Sequence, residues 1–208
     1  QNMVFRRSLY FVKNLKKGDL VVGSFKHSSK QVLNINSIAR INKNIGLKNA
    51  SLFHLAIIAM QGIRMSNINE SKIKIAIIGQ GIIGRLATLI LRAMGHEVIC
   101  ITLSRKKLDF FNESSGLALS SNTDNEKVKT LNAKVVIDAS GDPESIHTAM
   151  SAACHSGRIV LLGSSRGDTN RFSVDGKAKK KKLTICGAHI NNINNSMNSY
   201  GLSYLEEV

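Results

Sequence analysis

The residues in this chain whose types and spacing could do chemistry are first of all Gly79, Gly81 and Gly84, set as G-x-G-x-x-G within the stretch Ile73 to Gly84. In a phosphate-binding turn each glycine has its own task. The first permits a tight turn, the second lets backbone approach a pyrophosphate, and the third lets the following helix pack closely on the strand. The spacing alone is a weak signal, so its context decides. Four of the six residues before Gly79 are isoleucines, the composition of a strand covered on both faces. Beyond Gly81 the apolar residues change to helical period at Ile83, Ala87, Ile90, Leu91 and Met94, and Gly95 is placed to end that helix. A second strand follows at Glu97 to Leu103. A phosphate would rest on the unpaired N–H groups of the helix start, with Gln80, Ile82 and Ile83 completing the loop between the glycines. The competing reading is a set of ordinary strand-to-helix glycines.

Two further glycines, Gly141 with Ser140 before it and Gly163 with Ser164 after it, each close a predicted strand. That puts them at the carboxyl edge of a sheet, where open α/β folds bind ligands, although plain turn glycines would look the same. At the end of the second strand an NAD site usually carries an acid, and this chain has Thr102 followed by Ser104, Arg105, Lys106 and Lys107. Without the carboxylate, and with cations close by, a 2′-phosphate is favoured, so the expected cofactor is NADP, with NAD the alternative. His27, His96, His147, His155 and His189 are scattered without metal-ligand spacing. Cys100, Cys154 and Cys186 lie far apart in apolar patterns, with no C-x-x-C pair, so they are expected as small buried residues of a reducing compartment.

These residues must be positioned by a chain of 208, long enough for one sizeable core and part of a second domain. A hydrophobic content of 43% fits a globular protein, and the absence of a long apolar run argues against a spanning helix. The opening residues, with Gln1 first and Arg6, Arg7, Tyr10 and Phe11 soon after, do not resemble a signal peptide and read as a cut rather than a true start. The net charge is +15 and uneven: residues 1–69 carry 11 Lys and Arg against the single acid Asp19. Anionic partners would suit such a balance, as would plain solvated faces. The densest run, Lys177, Lys179, Lys180, Lys181 and Lys182, could meet nucleic-acid phosphates, but it fills a connection before an edge strand and has no aromatic interleaving.

Along the chain, residues 1–50 read as short strands, Asp19 to Ser24 after a Lys16-Lys17-Gly18 turn and Gln31 to Ile35, with apolar positions at Val32, Ile38 and Ile41. Phe53 to Met65 is helical, with Phe53, Ile57, Met60 and Ile63 on one face and Ser51 as a cap. After the second strand come a short helix at Ser104 to Phe111, a third strand at Gly116 to Ser120, a polar loop or irregular helix over 121–132, and a fourth strand at Lys134 to Ala139. Asp142, Pro143 and Glu144 then read as N-cap, first helical position and first-turn acid of a helix that buries Ile146, Ala149, Met150, Ala153 and Cys154 and stops at Gly157. Arg158 to Gly163 makes a fifth strand and Leu183 to Gly187 a sixth. Alternating strands and helices imply α/β architecture with a doubly wound parallel sheet of about six strands.

As a set, these residues resemble the medium-chain dehydrogenase/reductases, the family of zinc-type alcohol dehydrogenases and quinone reductases. The similarity runs over about residues 15–190. Lys17-Gly18-Asp19-Leu20-Val21 is similar to a turn and strand of the family's β-rich, chaperonin-10-like catalytic domain, and Met60-Gln61-Gly62-Ile63 to its linking helix. Residues 135–141 (VVIDASG), 157–163 (GRIVLLG) and 182–189 (KLTICGAH) resemble its fourth, fifth and sixth Rossmann strands. The resemblance implies a partial chaperonin-10-like domain at 1–52, a Rossmann dinucleotide-binding domain at 53–190 that includes the linking helix, and a return segment or tail at 191–208. The four-cysteine lobe of many members is absent, and a catalytic zinc ligand in the linking helix would fall near Leu55, which cannot bind metal, so no zinc is expected. His54 lies near where the family builds its active site and is a weak candidate acid or base, a surface or packed histidine being the stronger reading. The resemblance also implies dimers joined at the edge strand Leu183 to Gly187, and a cytoplasmic enzyme.

The expected function is therefore hydride transfer between NAD(P)(H) and an alcohol, carbonyl or activated-alkene substrate. The alternatives are a nucleotide-sensing Rossmann module and a basic nucleic-acid-binding fragment. Neither substrate nor catalytic acid is named by these residues.

Overall fold

The computed structural model describes residues 15–23, 28–35, 38–102, 118–120, 124–164, 167–168 and 174–189. The chain divides into two units at the Ile57/Ile58 boundary.

In the smaller unit, β1 (Val21–Gly23) pairs antiparallel with β2 (Ile38–Arg40), Val22 opposite Ala39. Val22, Ala39 and Ile41 form its buried cluster, with Leu20, Ile45, Ala50 and Phe53 packed against it. The second strand is thus not the expected Gln31 to Ile35. Those residues are irregular and Val32 is 99% exposed. The register of β1 with β2 also brings Arg40 within 3.4 Å of the Asp19 carboxylate. Ser51 does not cap the next helix. Its hydroxyl donates to the Lys48 carbonyl (2.7 Å) and closes α1 (Leu47–Ala50), a single turn immediately before it. The helix α2 (Phe53–Met65) has the expected bounds, and Met60 and Ile63 are buried.

The larger unit, Ile58–Ile190, holds a parallel sheet of β3 (Lys74–Ile78), β4 (Glu97–Thr102), β5 (Ala118–Ser120), β6 (Ala133–Asp138), β7 (Ala153–Leu161) and β8 (Thr184–Gly187). Its order is β5-β4-β3-β6-β7-β8, so the winding reverses between β3 and β6. Ile75, Ala76 and Ile77 of β3 are each fully buried, which explains why this strand reads as an apolar run and not as an alternation. Complete burial of one such isoleucine contributes about 1.5–3 kcal/mol. One face of the sheet packs on α4 (Asn125–Lys129) and α5 (Ser145–Ala152) through Val128, Ile146, Ala149 and Met150. The amphipathic α3 (Ile82–Ala93) buries Gly84, Ala87, Thr88 and Leu91.

Two expectations at α5 need correction. The regular helix begins at Ser145, although Asp142 still plays its capping part by accepting from the Glu144 N–H (3.0 Å). The helix also ends early. Ala153 is already extended, so Ala153 and Cys154 belong to β7. The cause lies far along the chain: the Lys181 ammonium donates to the carbonyls of Met150, Ser151 and Ala153 at 3.0, 3.0 and 2.6 Å and takes over the helix terminus. Gly157 therefore sits inside β7, at a register shift, where a Cβ would lie 3.0 Å from the Cys154 carbonyl oxygen. The expected helix at Ser104 to Phe111 and the residues Gly116 and Leu117 lie outside the described residues.

Candidate dinucleotide-binding site

Where β3 ends, Gly79 takes φ +84° and its N–H donates to the Ile101 carbonyl of β4 (2.9 Å). A side chain there would be strained by that backbone angle. It would also set its Cβ 2.5 Å from the Ser140 Cα on the turn after β6. A Cβ on Gly84 would overlap the Gly79 carbonyl oxygen. These two glycines are thus required by the folded chain itself. Gly81 is different. Its φ of −74° is ordinary and a Cβ on it would meet none of the described residues within 4 Å. The space it leaves lies at the N-terminus of α3, which has Gly81 as N-cap, no side-chain capping bond and no acid in its first turn. Among the described residues no side chain caps its first-turn N–H groups at the positive end of the helix dipole.

Gln80, between the glycines, turns its side chain inward. It is 1% exposed, its Nε2 donates to the Ile77 carbonyl (3.2 Å), and its Oε1 meets no partner among the described residues. What the loop offers a ligand is therefore backbone, flanked by the half-buried Ile83 and by Ile82, which is 48% exposed.

The turns after β6 and β7 close on the same place. A Cβ on Gly163 would lie 2.5 Å from the Gly141 nitrogen, and one on Gly141 would lie 2.8 Å from the Ser164 carbonyl oxygen. Gly79, Ser140, Gly141, Gly163 and Ser164 are thereby brought together at the carboxyl edge of the sheet, at the point where the strand order reverses. The Ser140 hydroxyl is already engaged: it donates to Asp138 Oδ1 (2.7 Å) and accepts from the Asp142 N–H (3.1 Å). Thr102 ends β4 next to β3 and is buried, opposite Ser120 of β5. Ser104, Arg105 and Lys106 lie outside the described residues. His54 is exposed on α2, in the smaller unit.

Spacing did not single out Asp138 or Ser145. Asp138 Oδ1 accepts from the Ser140 N–H (3.0 Å) and hydroxyl, and Oδ2 accepts from the Ser145 hydroxyl. The available signal was an acid closing an apolar strand two residues before a serine. In the lysine run, Lys181 serves α5 as described and Lys177 donates to the Ser151 hydroxyl (2.6 Å), so these two cations are engaged within the fold. A cavity of about 130 Å³ lies at the opposite, amino edge of the sheet, between Glu70, Lys134, Arg158 and Thr184. Lys134 pairs with Glu70 (3.7 Å), and Arg158 donates to the neutral Met65 carbonyl at the end of α2 (3.5 Å).

The zinc-binding dehydrogenase family profile matches residues 83–203. Probable D-xylulose reductase A of Aspergillus clavatus is 27% identical over 161 residues, which cover 72% of this chain and 44% of that protein. Many solved structures share the fold, among them the two that follow. A Sinorhizobium meliloti 1021 protein described as a zinc-binding dehydrogenase and bound to NADP has TM-score 0.68 at 18% identity, covering 82% of this chain and 52% of its own. A short chain alcohol dehydrogenase from Escherichia coli CFT073, complexed with NADH, has TM-score 0.67 at 19% identity, covering 84% and 52%. The chain thus spans about half the length of the relatives it matches. Among the described residues no three His, Cys, Asp or Glu side chains are grouped to hold a metal. No helix among the described residues is long and apolar enough to cross a membrane. With the family profile matching more than half of its length, from α3 onward, this chain belongs to the zinc-binding dehydrogenases.

Proposed function

We propose that this chain is the dinucleotide-binding part of an oxidoreductase that moves hydride between NAD(P)(H) and an alcohol, carbonyl or activated-alkene substrate. The observation that carries the reading is the contrast within the fingerprint: Gly79 and Gly84 are packed solid, while a Cβ on Gly81 would meet none of the described residues within 4 Å, before a helix N-terminus without a side-chain cap. A pyrophosphate placed there would accept from the first-turn N–H groups of α3, beside backbone that Gly81 keeps bare. The turns at Ser140–Gly141 and Gly163–Ser164 would close the crevice from the β6 side. The bound cofactor supplies the hydride chemistry, and these residues hold and orient it.

At the adenosine end, Thr102 offers no carboxylate to repel a 2′-phosphate, which favours NADP over NAD. The open edge of β8 is the proposed contact with a second copy, and residues before Phe53 are proposed as part of a β-rich catalytic domain, in a cytoplasmic enzyme. His54 stands as the weak candidate for acid–base chemistry.

The test is fluorescence titration of NADPH and NADH into the wild type and Gly81→Ala, with melting curves for both. The expected result is dinucleotide binding by the wild type, NADPH preferred, and its loss in Gly81→Ala at unchanged melting temperature. Wild-type protein that binds neither cofactor would overturn the reading. Equal affinity of Thr102→Asp for NADPH would overturn the NADP preference alone.

A further inference from the structure

We infer that Asp138 is a positioning residue for the dinucleotide, one that sets the width of the crevice without touching the ligand. The inference rests on the dinucleotide reading above and adds a residue to it. Asp138 is only 7% exposed, and no cation pairs with it among the described residues. Its carboxylate is held by neutral donors: the Ser140 N–H (3.0 Å), the Ser140 hydroxyl (2.7 Å) and the Ser145 hydroxyl. A buried carboxylate left without such donors is costly, so the three groups and the acid order one another. Its backbone carbonyl meanwhile accepts from both the Leu162 and Gly163 N–H groups at 2.8 Å. One residue therefore ties the turn after β6, the first residue of α5 and the turn after β7.

Those are the surfaces against which the glycine loop is set. The Ser140 backbone is what a side chain at Gly79 would strike, and the Gly141 nitrogen is what one at Gly163 would strike. A shift of Ser140 is thus passed to the Gly79 turn by direct backbone contact, and from there to the Gly81 backbone two residues on. A carboxylate that merely started α5 would need Ser145 alone. The two bonds to Ser140 are spent on the turn facing the crevice.

The experiment compares NADPH and NADH affinities of the full chain in Asp138→Ala, Asp138→Asn, Ser140→Ala and Ser145→Ala, each titrated well below its own melting temperature. Asp138→Ala is expected to weaken binding by about tenfold or more, because charge-assisted bonds are lost at the crevice wall. Ser140→Ala is expected to weaken it more than Ser145→Ala. Asp138→Asn is expected to recover much of the affinity, since its amide oxygen still accepts from Ser140 while its amide nitrogen donates to the Ser145 hydroxyl. A purely structural role would lower the melting temperature and leave the affinity of the folded molecules unchanged. That result in Asp138→Ala overturns the inference. If Asp138→Ala does not fold, wild-type affinity in both serine variants overturns it. A wild type that binds no dinucleotide sinks the proposed function and this inference together, whereas a binding wild type with unaffected variants sinks this inference alone.

Discussion

The helices α3 and α5 leave neighbouring parallel strands, β3 and β6, at the same edge of one sheet, and the residues that lead into their first turns differ. At α5 the chain satisfies its own groups. Asp142 accepts from the Glu144 N–H, the Ser145 hydroxyl bridges to the Asp142 carbonyl (2.6 Å) and to Asp138, and the acids Asp142 and Glu144 stand against the dipole. At α3 there is a glycine, no capping side chain and no acid. Neither helix has a side-chain cap on its first turn, so the acids before α5 and the bare backbone before α3 would decide which end suits an anion.

The largest effects should come from filling the packed half of that loop. Gly79→Val combines a β-branched side chain with φ +84° and a Cβ 2.5 Å from backbone, so the expected loss is about 3 kcal/mol or more of stability. Urea unfolding measures it, and a variant with the wild-type midpoint would show that the turn can relax at little cost.

Next in size is the conversion of one helix end into the other. Gly81→Asp sets an acid before α3, as Asp142 and Glu144 stand before α5. Its stability should stay within about 0.5 kcal/mol of wild type, since glycine is itself a tolerable N-cap. Dinucleotide affinity should fall by about tenfold or more, because the carboxylate competes for the N–H groups and repels phosphate. The mirror change, Asp142→Ala, should cost about 1 kcal/mol of stability at the α5 terminus. Paired melting and titration data check both, and a Gly81→Asp protein that still binds NADPH normally would remove α3 from the site.

These contrasts also mark what could be read from the chain alone. The strands at 74–78, 97–102 and 133–138 and the helix at 53–65 were legible because each is decided by its own residues: isoleucine runs, a change of period and punctuating glycines. The end of α5 was not legible, because Lys181 reaches it from 28 to 31 residues away. The strand in the smaller unit was misplaced because pairing with β1, rather than local pattern, selects Ile38–Arg40 over Gln31 to Ile35. At the site, glycine spacing locates the loop but not the inward turn of Gln80, nor the reach of Asp138 from β6 to Ser140 and Ser145, since both depend on where the backbone carries a side chain.

The C-terminal ends of the two helices extend the comparison with smaller effects. The α5 carbonyls depend on a distant ammonium, and Lys181→Met should cost about 1–2 kcal/mol by leaving them partly unserved. Burial, and after it the charge of Lys177, pushes the Lys181 ammonium below its ordinary pKa. This is the mark of a cation taken into the structure rather than left in solvent. Thermal unfolding checks the cost, and a wild-type melting temperature would mean that water serves those carbonyls equally well.

The end of α3 closes on itself instead, and there the smallest effect is expected, one that depends on pH. The His96 N–H donates to the Leu91 carbonyl (3.1 Å) and the Gly95 N–H to the Arg92 carbonyl (2.9 Å), with Gly95 at φ +87°, which is the Schellman arrangement. The motif carries the His96 ring into a buried position where Nδ1 meets no partner among the described residues, and burial lowers its pKa below the ordinary 6.5. Above that value the ring is neutral in both folded and unfolded chains and adds no pH dependence. As pH falls through it, the unfolded chain takes up the proton first, so stability declines until the folded pKa is passed, with a slope of at most about 1.4 kcal/mol per pH unit. The expected outcome is a melting temperature that falls between about pH 7 and 5 more steeply in wild type than in His96→Gln, which has no proton to gain. Equal slopes in the two proteins would mean that the ring finds solvent or a partner when it protonates, and that the closed end of α3 is less tightly shut than its hydrogen bonds indicate.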